Sequence, residues 1–215
     1  MRVLLASFVV ASAVSATATA DLQSWVAPSW RGEANSQFYQ WNAFSSASFG
    51  PNFATAGGPS AQLFNFRGGS FLAPGDSGDV ISGEGGLDIH VYGSGTPTSD
   101  VVLQVTYDSF TATPAGVDFF IGSAGPGASG EYFDFVSSER LYTKVLDRGV
   151  IRVTDSFTFD LSGYTGSALN WAAFFEINGP TTLQGLSIDV RNVVPAPGVL
   201  ATLALAGFAR RRRRG

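Results

Sequence analysis

Acidic side chains cluster in one glycine-containing stretch, and this is the first place where the chain could do chemistry. Asp76, Asp79 and Glu84 supply three carboxylates within nine residues. Calcium prefers hard oxygen ligands on flexible backbone. The stretch therefore predicts a candidate structural calcium site, with a solvated acidic turn as the alternative because EF-hand spacing is absent. Calcium is the only cofactor that the sequence suggests.

Catalytic chemistry has few residues to work with. The chain has one histidine, His90, and no cysteine, which argues against zinc and copper sites and against a cysteine nucleophile. His90 falls on the polar face of a predicted strand and is expected to be a solvated surface residue. Glu131, Glu139 and Glu176 could form the carboxylate pair of a glycoside hydrolase, held about 5–10 Å apart, but no spacing supports this. We predict that the protein is not an enzyme.

Aromatic side chains near the N-terminus offer a different kind of site. Trp25, Trp30, Tyr39 and Trp41 fall within 17 residues, and exposed rings of this kind stack on sugar faces in carbohydrate-binding modules. Burial is the alternative, because tryptophan is highly buried on average. Trp171 lies inside a predicted strand and is expected in the core.

Short strands are the elements that must position these side chains. Apolar residues alternate with other residues over 87–92, 101–108, 141–145, 151–161, 171–177 and 186–190. This period of two is typical of strands, and the runs end at clusters of glycine, proline, asparagine or serine. Many short strands without helical crossovers predict an all-β fold, an antiparallel β-sandwich of jelly-roll type, with a barrel as the alternative.

Three finer expectations follow from the same pattern. The core should hold much of the phenylalanine, which amounts to 18 residues. Asp155 interrupts an apolar-facing series, so a bulge or a strand break is expected there rather than a buried charge. Residues 21–58 are less regular, and we expect them to cover the sandwich or to contribute its first strand.

The N-terminus is typical of a secretory signal peptide. Arg2 follows Met1, residues 3–14 are apolar and small, and Ala18 and Ala20 form an A-x-A cleavage site before Asp21. Residues 1–20 are therefore predicted to be a signal peptide, and the chain is predicted to be exported.

The last 22 residues combine a proline motif, an uncharged run over 199–209 and a basic end. They contain Val194, Pro195, Ala196, Pro197 and Gly198, and finish on Arg210, Arg211, Arg212, Arg213 and Arg214. As a short hydrophobic helix the run would rise about 16 Å, against a hydrocarbon core of roughly 30 Å. The arginines would stay on the cytoplasmic side. This predicts transient membrane insertion and processing; a permanent anchor or a nucleic-acid patch is the alternative.

This tail resembles the PEP-CTERM sorting signal of bacterial surface proteins, with the central acid of the Pro-Glu-Pro type motif replaced by Ala196. The resemblance covers residues 194–215. It implies that a membrane-embedded exosortase recognises the motif and cleaves near it. The expected partners are the export machinery and this exosortase-like membrane protease, and the expected location is the cell surface or the extracellular space, reached through a membrane-inserted precursor.

Charge separates the middle of the chain from its ends. Residues 21–193 contain all 17 acidic residues but 7 of the 13 basic ones, which gives a net charge of −10. An acidic body repels nucleic acid. Without cysteine there are no disulfides, so stability must come from a packed core or bound ions, and 173 residues are enough for one core.

Three segments are therefore predicted: a signal peptide (1–20), one β-sandwich domain (21–193) and a sorting tail (194–215). We predict an exported, non-catalytic protein of the cell surface or extracellular matrix with an adhesive or structural role. The alternative is a carbohydrate-binding module of the matrix, with polysaccharide as its partner. A glycoside hydrolase is the third reading.

Overall fold

The computed structural model describes residues 25–57, 60–95, 97, 99–111, 113–122, 130–166 and 170–191. The predicted signal peptide, with Ala18, Ala20 and Asp21 at its cleavage site, lies outside these residues, as does the predicted sorting tail. Within the described ranges, no helix is long and apolar enough to cross a bilayer.

Strands make up the regular structure of the described residues, apart from one 3-10 turn at Asp147–Gly149. In chain order they are β1 (Ser36–Trp41), β2 (Asn52–Phe53), β3 (Gln62–Asn65), β4 (Phe71–Pro74), β5 (Asp79–Gly83), β6 (Gly86–Ser94), β7 (Asp100–Ser109), β8 (Gly116–Gly122), β9 (Gly130–Asp134), β10 (Ser137–Val145), β11 (Ile151–Asp160), β12 (Asn170–Asn178) and β13 (Thr181–Arg191). The predicted all-β fold is confirmed. The six alternating runs fall on β6, β7 and β10 to β13.

The strands form two antiparallel sheets. The seven-stranded sheet has the order β10-β11-β7-β13-β5-β4, and β1 also pairs with β13. The six-stranded sheet has the order β2-β3-β6-β12-β8-β9. Buried side chains from both sheets belong to one hydrophobic cluster. Because successive side chains of a strand point to opposite faces, each sheet gives one face to this core and turns the other face outwards.

The core is built from large rings and branched aliphatic side chains. Trp171 is 1% exposed, as its place in a strand predicts. The expectation for phenylalanine is wrong: the described residues bury only five phenylalanines, namely Phe44, Phe119, Phe157, Phe159 and Phe175. Most of the others lie at the surface or only partly buried, and the six-stranded sheet holds several of them on its outer face.

Residues 25–35 lie on the outer face of the seven-stranded sheet. The Trp25 Nε1 atom donates a hydrogen bond to the Thr106 Oγ1 atom at 3.1 Å, and the Gln104 side chain bonds both the N–H and the C=O of Val26. These contacts explain how Gln104 and Thr106 are buried on an outward-facing part of β7. Strand β1 follows directly, so the N-terminal region both covers a sheet and adds a strand to it.

Asp155 corrects another expectation. Strand β11 runs through it without a break, and the side chain is buried beside the core. Its carboxylate accepts hydrogen bonds from Arg140 Nε at 2.8 Å and Nη2 at 3.0 Å, and from the Tyr107 hydroxyl at 2.8 Å. The irregularity lies in the partner strand β10, between Arg140 and Tyr142. A buried charge is tolerated here because it is paired and hydrogen-bonded on both oxygens.

Replacing Arg140 by alanine is expected to destabilise the protein by about 2 kcal/mol. The change leaves the Asp155 carboxylate buried without its counter-ion, which costs roughly 3–5 kcal/mol for fully buried pairs; the smaller figure reflects the 42% exposure of the Arg140 side chain. Urea unfolding would measure it. Lys144→Ala, a basic deletion on the same exposed strand, should stay within about 0.5 kcal/mol of the parent. Equal losses for the two variants would contradict the role assigned to Arg140.

Candidate functional site

The outer face of the six-stranded sheet displays side chains in register across its strands. On β6 the outward positions are Asp88, His90 and Tyr92, and the register places Phe174 of β12 opposite His90 and Glu176 opposite Asp88. Neighbouring strands lie about 4.8 Å apart, so side chains at paired positions contact one another. Residues that are distant in sequence are thereby assembled into transverse rows.

Eight rings form a continuous band over this face, which we call the aromatic face. Ring centroids of successive neighbours lie between 4.6 and 6.5 Å apart, within the range of favourable aromatic pairs. Tyr132 is 68% exposed and Phe66 and Tyr92 are 40% exposed. The members are Phe49, Phe64, Phe66, His90, Tyr92, Phe120, Tyr132 and Phe174. A contiguous exposed ring surface of this kind is a candidate interaction site.

His90 holds the centre of the aromatic face together. Its ring makes edge contacts with Phe66 and Phe174, with centroids 4.6 and 4.7 Å away. The Nε2 atom lies 2.8 Å from Asp88 Oδ1 and the Nδ1 atom 3.1 Å from the Tyr92 hydroxyl. Because an ionised carboxylate only accepts, we assign the proton of the neutral ring to Nε2, so that Tyr92 donates to Nδ1. His90 is thus a half-buried, fixed residue rather than a solvated one.

Tyr92 remains a neutral hydroxyl at physiological pH. Burial raises its pKa, and the nearby Asp88 carboxylate and Tyr132 raise it further. The phenol therefore keeps its proton and its capacity both to donate and to accept hydrogen bonds. Its ring edge and hydroxyl together offer an apolar surface with a polar tip.

Charged side chains surround the rings. Glu176 accepts a hydrogen bond from Arg67 Nη2 at 3.0 Å. Asp118 and Asp134 are register partners on β8 and β9, and like charges directly opposite are unfavourable unless their oxygens receive hydrogen bonds. The border of the aromatic face is thus rich in hydrogen-bond acceptors.

The aromatic residues singled out from the sequence lie elsewhere. Tyr39 and Trp41 are 3% and 0% exposed in the core, and Trp41 Nε1 donates to the Asn52 carbonyl at 3.0 Å. Trp25 bonds to the seven-stranded sheet, and Trp30 lies beside the Arg191 guanidinium, 5.9 Å from ring centroid to Cζ. Tyr39 and Trp41 cannot touch a ligand, so the predicted platform is wrong for these two. The burial alternative holds for them.

The three acids of the candidate calcium site are separated by a strand. Asp79 begins β5 and Glu84 follows its end, which places them roughly 16 Å apart at about 3.3 Å per residue. Asp76 pairs with Arg152 at 2.7 Å. Among the described residues, no three acidic or histidine side chains form a group that could hold a metal ion. Asp76, Asp79 and Glu84 therefore do not form one ligand group within the described residues.

The glutamates considered for hydrolysis are also dispersed. Glu131 aligns with Ile121 and through it with Trp171, five residues along β12 from Glu176. That offset is roughly 17 Å, beyond the carboxylate separation that glycoside hydrolysis needs. Glu139 lies on β10 of the other sheet, and its side chain is exposed.

A sequence signal for the aromatic face exists, but it is weak. Rings recur two residues apart on the outward positions of predicted or short strands, as in Phe64 and Phe66 or His90 and Tyr92. Period two alone assigns such residues to one face without saying which face is the core. The tryptophans singled out from the sequence lie in another segment, whereas the exposed rings here are phenylalanine and tyrosine.

Comparisons with known proteins give little further information. No family model matches the chain, and no curated protein matches it. Among the solved structures that match is a carbohydrate-binding module, TmCBM27, studied for specific mannan recognition. It is 9% identical, with 60% of this chain and 89% of that chain covered and a TM-score of 0.28. This similarity is too low to transfer a ligand.

Proposed function

We propose that this chain is an exported, non-catalytic protein whose β-domain binds carbohydrate through the aromatic face. The observation that carries the proposal is the contiguous band of eight rings on the outward side of the six-stranded sheet. Large ring surfaces on a soluble domain are normally buried. Here the phenylalanines that are not buried in the core include those of the aromatic face, which a ligand can reach.

The chemistry of the face fits sugar rings. A pyranose has an apolar C–H surface bordered by hydroxyl groups, so it complements flat aromatic rings that are surrounded by hydrogen-bond acceptors. Asp88, Asp118 and Glu176 lie on the outward positions beside the rings, and carboxylates accept strong hydrogen bonds from hydroxyls. The same negative charge disfavours nucleic acid and anionic lipid surfaces.

In the proposed role, the protein adheres to the cell surface or matrix by binding polysaccharide. The signal peptide and the sorting-type tail support delivery to the cell surface or extracellular matrix, where polysaccharide is the abundant partner. A domain that binds it would act as an adhesive matrix component without catalysing a reaction. The acidic net charge of the body would keep the unbound protein soluble.

We also infer that the fold is of the jelly-roll type. The strand order β5-β13-β7-β11 in one sheet and β6-β12-β8-β9 in the other is the order that two interleaved Greek keys produce. In this arrangement β11 takes one of the eight jelly-roll strand positions, and β10 pairs with it as an additional edge strand. The outer face of the six-stranded sheet stays open to ligands, whereas residues 25–35 cover part of the outer face of the seven-stranded sheet.

Binding to uncharged polysaccharides tests the proposed function. Affinity gel electrophoresis of the purified protein against glucans, mannans, xylans and galactans should show retardation in at least one gel, in the micromolar to millimolar range of Kd. Migration unchanged by every polysaccharide would sink the proposal.

Processing of the tail has a separate test. Mass spectrometry of the extracellular protein from its native host should find a start at Asp21 and a C-terminus near Pro197, because the short apolar run is suited to a temporary anchor. A mature extracellular form that still ends in Arg214 and Gly215 would refute cleavage. Neither outcome bears on the proposal that the β-domain binds polysaccharide.

A further inference from the structure

A depression of about 210 Å³ adjoins the aromatic face. It lies where the two central strands end, since Ser94 is the last residue of β6 and Asn170 the first of β12. Tyr92 belongs both to this depression and to the aromatic face. We call it the end pocket; its lining residues are Ser60, Gln62, Tyr92, Gly93, Ser94, Asn170 and Trp171.

Among the described residues, those that line the end pocket include no charged side chain. This distinguishes it from the rest of the face, which is bordered by carboxylates and Arg67. The Gln62 and Asn170 amides each carry two donor hydrogens and an acceptor oxygen, and both side chains are half-buried. Within the described residues neither amide is held by a side-chain hydrogen bond. Both amides are therefore available to a ligand that donates and accepts at once, as a hydroxyl does.

The floor and wall of the end pocket are fixed in place. A Cβ on Gly93 would lie 2.0 Å from Trp171 Cζ2, so the glycine lets the buried indole pack directly beneath the strand. The Tyr92 ring forms an apolar wall, and its hydroxyl is held by His90. Ser60 is held too, because its hydroxyl lies 2.7 Å from that of Tyr39. Because the floor and wall are fixed, the Gln62 and Asn170 side chains are the main groups that binding must order.

We infer, on the basis of the proposed function, that the end pocket receives one uncharged sugar unit of the bound polysaccharide and sets the specificity of the face. The unit stacks on Tyr92, and the Gln62 and Asn170 amides bond its hydroxyls. The rings of the aromatic face supply affinity without regard to hydroxyl configuration. The end pocket distinguishes one uncharged polysaccharide from another, because a site built to bond a hydroxyl rejects a ligand that presents it wrongly.

The test compares selectivity with affinity in the full-length protein. Kd values for uncharged glucan, mannan, xylan and galactan are measured for the parent, Gln62→Ala, Asn170→Ala and Tyr132→Ala. The two amide variants should reduce the ratio between the best and the second-best polysaccharide about tenfold. Tyr132→Ala should weaken every measurable interaction by a similar factor and leave the ratio unchanged. Asn42→Ala, an amide deletion after β1, is the matched control and should change neither quantity.

The outcomes separate the two ideas. If the parent binds and the amide variants keep its selectivity ratio, or weaken all polysaccharides equally, the end pocket does not set specificity and the inference falls while the proposed function stands. If the parent binds none of the four, the proposed function fails. Near-UV circular dichroism confirms native packing, and Asn170→Ser replaces any Asn170→Ala protein that does not fold.

Discussion

Replacing Tyr132 and Phe66 together by alanine lowers the affinity for the bound polysaccharide at least 100-fold. The two rings lie on opposite parts of the aromatic face, and they are 68% and 40% exposed. Loss of one stacking ring from a ligand-binding surface is expected to cost about 1.4 kcal/mol or more, which is tenfold in Kd. Because the rings do not touch each other directly, their effects should add.

The matched control removes two exposed phenylalanines from other parts of the molecule. Phe71→Ala with Phe110→Ala deletes rings that are 51% and 55% exposed, so it changes surface hydrophobicity by a similar amount. Its Kd should stay within about twofold of the parent. Isothermal titration calorimetry measures both proteins. An equal loss of affinity in the control would mean that general surface hydrophobicity, not the aromatic face, retains the polysaccharide.

The double variant should lose some stability but keep its fold. Tyr132 lies on the edge strand β9, and Phe66 lies just beyond β3, so neither side chain fills the core. Each ring does pack against other rings of the aromatic face, and loss of such a ring pair costs roughly 0.5–1.5 kcal/mol. A variant that still unfolds cooperatively in urea and keeps the near-UV circular dichroism of the parent therefore reports on the ligand surface.

The strands could be predicted from the sequence more readily than the site could. Period-two runs locate strands such as β7 and β12 directly, because half-buried strands alternate. The aromatic face depends on the register between strands, which no local sequence pattern contains. It joins rings from β3, β6, β8, β9 and β12, and the register between those strands is set by the whole sheet.

Two particular residues show why local reasoning fails. Asp155 sits at an apolar-facing position, and its burial becomes acceptable only through Arg140 on another strand and Tyr107 on a third. Trp41 looks like a ligand platform by residue type, yet it is fully buried. In both cases the deciding contact is made by residues far away in sequence. Residue type alone indicates an unburied charge for Asp155 and a ligand platform for Trp41, but tertiary packing buries both side chains.

Replacing Arg31 by alanine destabilises the protein by about 3–5 kcal/mol at pH 7, as expected when a buried ion pair loses one partner. The Arg31 guanidinium makes a bidentate pair with Asp189, whose side chain is 0% exposed, and also bonds the Ser187 hydroxyl at 3.2 Å. It further lies over the Phe38 ring, 5.0 Å from the centroid. Arg31 therefore ties residues 25–35 to the seven-stranded sheet.

The pH dependence of the free energy of unfolding of Arg31→Ala shows whether the unpaired Asp189 carboxylate causes the loss of stability. Burial raises the pKa of Asp189, and Arg31 opposes that rise; without Arg31 the folded-state pKa moves further above the unfolded value. A raised carboxyl pKa means that the folded state binds the proton more tightly, so stability is retained at low pH and lost as the pH rises through the folded pKa. The deficit measured by urea unfolding should therefore shrink between pH 7 and pH 4.

Two further variants decide whether the buried charge is responsible. Arg148→Ala removes an exposed arginine from the 3-10 turn and should cost no more than about 0.5 kcal/mol. Adding Asp189→Asn to Arg31→Ala should recover part of the loss, because a neutral amide tolerates burial better than an unpaired carboxylate. A deficit that is constant between pH 4 and pH 7, and that the second substitution does not relieve, would show that Arg31 acts through packing alone.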